Sequence, residues 1–177
     1  MRVRKLLLAT LLASVLWWEA CAIPAWVNTA EQDAEVAAPI AASLIDVVDP
    51  ALAPVVTLIE SGFSALVKTL DTYKASPTAS NLQAVQAAFA AVNTNVAQLE
   101  SAAQIKNATT ATKVTAVVQL LTQAVTEIAA QVPPATTATM TATAPKVSGQ
   151  AKGWKAKDFK REFNMIVKGD ERFKPLK

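Results

Sequence analysis

Apolar residues return along the middle of the chain at alternating steps of three and four. Leu82, Val85, Phe89, Val92, Val96, Leu99 and Ala103 are spaced 3-4-3-4-3-4, a repeat that lays one stripe along a helix and, over successive heptads, forms a coiled-coil seam. Val114, Val118, Leu121, Val125, Ile128 and Val132 carry the theme onward. This second run is rich in valine and threonine, residues that favour strands. A strand would alternate every two positions, and these positions do not, so both runs predict helices, near 79–105 and 110–132. Pro133-Pro134 stops the second, because proline lacks the N–H that a helix interior needs. Ser76-Pro77 and Ser80 offer alternative starts for the first.

Two further helices are predicted upstream. Val55, Val56, Ile59, Phe63, Leu66, Val67 and Leu70 fall on one face of residues 51–74, with Thr57, Glu60, Ser61, Ser64, Lys68 and Asp71 on the other. That regular polar face predicts an amphipathic helix rather than a membrane span, despite the apolar run from Pro50 to Ile59. Asp49-Pro50 supplies a cap and a first-turn proline, and Pro54 is expected to delay the regular part by one turn. Asn28 or Thr29 can cap a helix over residues 29–49, which carries Glu31, Asp33 and Glu35 near the positive end of its dipole. Val36, Ile40, Leu44 and Val47 form the stripe, and Pro39 inside it predicts a kink or a break. The carboxylate pairs Asp33/Glu35 and Asp46/Asp49 read as solvated faces and helix starts. Short connections make neighbours antiparallel. The expected fold is all-α: an up-and-down four-helix bundle over residues 23–132, or three long helices plus a kinked first one.

Both ends of the chain break this pattern. Arg2, Arg4 and Lys5 precede an uncharged apolar run from Leu6 to Trp18, which Glu19 ends. This is the layout of a secretion signal, and the run is shorter than the roughly 20 residues a membrane-spanning helix needs. Residues 1–22 are therefore expected to direct export to a bacterial periplasm, to the outer envelope, or out of the cell. Ala20-Cys21-Ala22 fits ordinary cleavage after Ala22. Trp18-Glu19-Ala20-Cys21 is a partial match to a lipoprotein signal, in which Cys21 would be acylated and become the first residue. At the other end, residues 133–150 are a Thr/Ala/Pro-rich linker expected to lack regular structure. Residues 151–177 form a basic amphipathic tail. Phe159, Phe163, Ile166 and Val167 share one face of a short helix that Gly169 closes, and Trp154 and Phe173 flank it. Lys157, Lys160, Arg161 and Lys168 lie around the polar side. So short a helix is marginal alone in water, and it must dock on the bundle or on a partner.

Composition narrows the function. The chain has no histidine, and its one cysteine is Cys21, so histidine bases, His or Cys metal sites and cysteine redox chemistry are excluded beyond the signal. No glycine-rich phosphate loop or nucleophile–base pair is present, and no cofactor or metal is implied. Residues 6–145 hold four lysines against ten carboxylates, whereas residues 146–177 hold ten basic residues against four acids. This asymmetry favours docking of the tail on the body, or binding of the tail to an anionic surface.

The expected role is non-enzymatic: an exported envelope spacer or interaction module, anchored through Cys21 if that residue is acylated. Its partner would be an envelope protein or an anionic envelope surface, not nucleic acid, and the heptad seams would allow oligomers. Two alternatives stand beside this reading, a membrane-active protein of the lysis or pore type, as prophages encode, and a carrier of an apolar ligand. Intact-mass and N-terminal peptide analysis of protein made in a bacterial host should find an acylated Cys21 or a free Ile23 as the first residue; an uncleaved Met1 would overturn the export reading.

Overall fold

A computed structural model of the chain describes residues 23–102, 108–133 and 153–177. The signal with Cys21, Ala103 at the end of the first seam, and all of the linker but Pro133 lie outside the described residues. Within them the protein is all-α, with helices α1 (Ala25–Ala42), α2 (Ala53–Ala75), α3 (Ala79–Ala102), α4 (Ala108–Gln131) and α5 (Ala156–Ile166). The described residues contain no strand. Each of the first four helices packs on its neighbours in the chain, α1 packs on α4 to close the ring, and α5 lies across α1 and α4.

Helix α1 begins at Ala25, a turn earlier than Asn28 or Thr29 would have started it. Pro24 occupies the capping position with φ −57°, and its carbonyl accepts the Val27 N–H at 3.0 Å. A proline there gives up only an N–H that no helical carbonyl would have received. Val27, Ala30, Ala34, Ala37, Ile40 and Ala41 are buried along the helix. Pro39 does not break it at once. Pro39 and Glu35 are both exposed, so the carbonyl deprived of a donor lies on the water side. The helix ends three residues later at Ala42, and the Ser43 hydroxyl that follows donates to the Ile40 carbonyl at 2.6 Å. Residues 43–48 continue as turns rather than as helix to Asp49, yet Leu44 and Val48 remain buried. The apolar stripe outlasts the regular backbone.

The Asp49 carboxylate accepts the Ala51 N–H at 3.0 Å, fixing a turn ahead of α2, and Pro54 sits in the first turn of that helix. The regular helix starts at Ala53, the delay that Pro54 predicts. Val56, Ile59, Phe63, Leu66 and Leu70 are fully buried. Between α2 and α3 the cap is Thr78, not Ser76 or Ser80: its hydroxyl accepts the Asn81 N–H at 3.2 Å. In α3, Val85, Val92, Val96 and Leu99 are buried, while Leu82 and Phe89 are half-buried.

Polar contacts confirm the antiparallel order. Lys74 near the end of α2 donates to Glu31 near the start of α1 at 2.6 Å, beside Trp26 and Tyr73 with ring centroids 5.7 Å apart. Gln86 near the start of α3 donates to the Pro133 carbonyl beyond the end of α4 at 2.8 Å. All six apolar positions of the α4 stripe are buried, and so are Val117, Leu120, Ala124, Thr126 and Glu127. Helix α4 is therefore covered on two sides, by the bundle and by α5.

Helices α2 and α3 approach closely at Gly62, where an added Cβ would lie 2.9 Å from Val92 Cγ2. Val92 is fully buried, and its branched side chain has little rotamer freedom in a helix. Alanine is favoured over glycine in a helix by about 1 kcal/mol, but overpacking costs about 1–3 kcal/mol. Gly62→Ala should therefore lower the Tm measured by circular dichroism. Val92→Ala in the same chain should recover part of that loss, so that the pair is less damaging than the sum of the single changes. A Tm raised by Gly62→Ala would show that the interface has slack.

Candidate functional site

The tail is built around the apolar face of α5. Gly153, at φ +67°, turns the chain onto the bundle with a conformation that a side chain would resist. Asp158 accepts the Lys155 N–H at 3.0 Å and caps the helix start. Phe159 and Phe163 are fully buried, Val167 and Phe173 are buried, and Trp154 and Ile166 are half-buried. The rings pack edge to face, Trp154 on Phe159 at 5.4 Å and Phe163 on Phe173 at 6.3 Å between centroids. Gly169, at φ +75°, reverses the chain after the helix. The Asn164 side chain then holds the returning segment from both sides: it accepts the Leu176 N–H at 2.8 Å and donates to the Leu176 carbonyl at 2.9 Å.

The residues singled out in the tail divide by direction. Trp154, Phe159, Phe163, Ile166 and Val167 pack inward. Lys157 and Arg161 are exposed on the opposite face of α5, with Lys160 half-buried at its flank, and Lys168 is exposed in the turn that follows. Arg161 pairs with Asp158 at 3.0 Å, and the Lys160 ammonium donates to the Lys177 carbonyl at 3.0 Å. Lys157 and Lys168 make no side-chain ion pair among the described residues. On the bundle side, Lys113 of α4 reaches Asp170 at 3.5 Å and the Lys168 carbonyl at 3.3 Å. Arg172 foremost, with Lys113 adding, holds the Asp170 carboxyl well below the usual carboxylate range.

Beneath the start of α5 lies a polar cluster that the periodicity argument passed over. Asp33, expected on a solvated face, is fully buried, and Glu127 is 3% exposed. Gln131 donates to Asp33 Oδ2 at 3.0 Å. Gln123 donates to Glu127 Oε1 at 3.0 Å, and the Gly153 N–H donates to Glu127 Oε2 at 3.2 Å. Burial pushes the Asp33 carboxyl up from its ordinary value. The Glu127 charge pushes the same way, while the Gln131 hydrogen bond and the Ala156 N–H oppose it. The first N–H groups of the tail thus face a buried acidic pair, where the positive end of a helix dipole is favourable.

The signal for this cluster is present in the spacing. Ala30, Asp33, Ala37 and Ile40 step 3-4-3, and Val117, Leu120, Ala124, Glu127 and Gln131 step 3-4-3-4. The polar residues stand in apolar registers. Among the described residues no three acidic, histidine or cysteine side chains gather as a metal site would require. One described helix, α2, is long and apolar enough to cross a membrane by length and composition; Ile59, Phe63, Leu66 and Leu70 turn into the bundle, while Leu58 is exposed.

No protein-family model, no curated protein and no solved structure matches this chain.

Removing a buried phenylalanine costs about 3–5 kcal/mol, against a total stability of about 5–15 kcal/mol for a typical domain. Deleting residues 153–177, or replacing Phe163 with alanine, should lower the Tm by many degrees. An unchanged Tm in the deletion would show that the tail contributes nothing to the bundle.

Proposed function

We propose that the protein is a non-enzymatic, exported module of a bacterial envelope. The bundle is a helical spacer, and the outer face of α5 docks on an anionic envelope surface. The observation that carries this reading is the division of α5: its aromatic face is spent on the bundle while Lys157, Arg161 and Lys168 stay in solvent. A tail that both closes the fold and presents charge can bind without unfolding anything. Each lysine or arginine held near an anionic membrane contributes about 1 kcal/mol, within a Debye length of the surface. Three of them give weak, salt-sensitive adhesion. An acylated Cys21 would supply the second attachment that stable membrane anchoring needs. The absence of histidine, and of any cysteine but Cys21, supports a binding role over a catalytic one.

Co-sedimentation of residues 23–177 with vesicles tests this proposal. Binding should occur on vesicles containing phosphatidylglycerol, fall with added salt, and be absent on phosphatidylcholine alone. Neutralising Lys157, Arg161 and Lys168 together to glutamine should weaken it on the order of a hundredfold and leave the Tm unchanged. Failure to bind anionic vesicles would sink the membrane-surface reading and leave a protein partner for the basic face.

A further inference from the structure

The Gln131 amide and the Asp33 carboxyl meet through one hydrogen bond, from Gln131 Nε2 to Asp33 Oδ2 at 3.0 Å. The other oxygen of each group, Asp33 Oδ1 and Gln131 Oε1, is buried without a hydrogen-bond partner among the described residues. A buried acceptor with no donor is a state that folded proteins rarely keep. Turning the amide over does not help, since its oxygen would then face the carboxylate. One hydrogen atom satisfies both. A protonated carboxyl and a primary amide pair through two bonds, N–H to one carboxyl oxygen and O–H back to the amide oxygen. A metal ion would need several more oxygens than the two left over, whereas a proton needs only these.

We propose that Asp33 carries a proton shared with Gln131, and that this proton latches the tail onto the bundle. Of the groups packed around Asp33, burial and the Glu127 charge favour the proton, while the Gln131 hydrogen bond and the Ala156 N–H oppose it more weakly than burial favours it. From α4 come Glu127, whose charge opposes a second one, and the amide of Gln131. From the tail come backbone N–H groups, Gly153 on Glu127 and Ala156 facing Asp33. The cations of the α5 start, Lys155 and Lys157, point to solvent. On α1 itself, Glu35 is exposed and Glu31 is taken by Lys74 of α2. The groups acting on Asp33 include no cation among the described residues.

The linkage has a definite sign. Docking of the tail across α1 and α4 adds to the burial of Asp33, which favours the proton, and brings the Ala156 N–H, which opposes it; burial is the larger effect, so docking and protonation favour each other. The latch is fully closed below the ordinary carboxylate range. It weakens as pH rises through the raised value of Asp33, when a second negative charge is buried beside Glu127. This inference stands apart from the membrane proposal, because it concerns how the tail is held and not what its outer face meets.

The test is a pH series on residues 23–177 and on Asp33→Asn, reading amide hydrogen exchange at residues 153–163 after correction for intrinsic rates. In the natural sequence, protection should fall with rising pH by up to tenfold per unit, the limit for one proton. Asparagine presents an N–H to Gln131 Oε1 in place of the acid O–H, so the variant should stay protected with no pH dependence. The same pH dependence in both proteins would overturn the proposal. A carbon-13 titration of the Asp33 carboxyl in the unsubstituted protein reads the proton directly. Titration above the ordinary aspartate value of about 3.9 is expected, and titration at or below it would overturn the proposal whatever the variant does.

Discussion

Alanine sets the terms of this fold. It is the best helix former and lets helices approach closely, but each buried alanine removes little apolar surface from water. The inward side of α1 is largely alanine, with Ala30, Ala34, Ala37 and Ala41 all buried, and the α2–α3 contact narrows to a glycine at position 62. A bundle of this kind is close-packed but thin in hydrophobic stabilisation. The tail supplies what is missing. Of the four phenylalanines buried among the described residues, Phe159, Phe163 and Phe173 come from it and only Phe63 from the bundle. Helix α5 is therefore part of the core, laid over the seam between α1 and α4.

The charge asymmetry of the chain suggests a basic tail drawn onto an acidic body, and the contacts follow a different logic. Among the described residues, the ion pair that joins them has the opposite polarity, with the cation Lys113 on the bundle and the anion Asp170 on the tail. From the described residues of the tail, the buried acids Asp33 and Glu127 meet backbone N–H groups, of Ala156 and Gly153. Aromatic packing positions the tail, and its cations are left outside. Exposed ion pairs are worth little, so a tail held by them would have been held loosely.

Much of the fold was legible in periodicity. The stripes of α2, α3 and α4 lie where their 3-4 spacing puts them, and the halves of α5 face as their residue types require. What escaped were features that break pattern. Helix ends depended on which hydroxyl or proline won the cap, and Thr78 and Pro24 did so over equally plausible neighbours. Helix α4 has a second inward register, but it runs through Glu127 and Gln131, and a reading that treats polar residues as outward stops there. Asp33 was discounted in the same way on α1. A helix buried on two sides can hide polar groups only if they satisfy one another, and that pairing spans 98 positions between Asp33 and Gln131. No local spacing reports it.

The tail seat belongs to the same chain as the tail. Residues 134–152 join the end of α4 to Gly153, so a tail that lets go stays tied near its seat at a high effective concentration. Release and return are then a unimolecular exchange, and diluting the protein does not shift it. Partial opening gives a fixed fraction of molecules with Phe159 and Phe163 uncovered, graded by conditions and not by abundance. A surface that captured the uncovered aromatics would have to outcompete a neighbour that is always at hand.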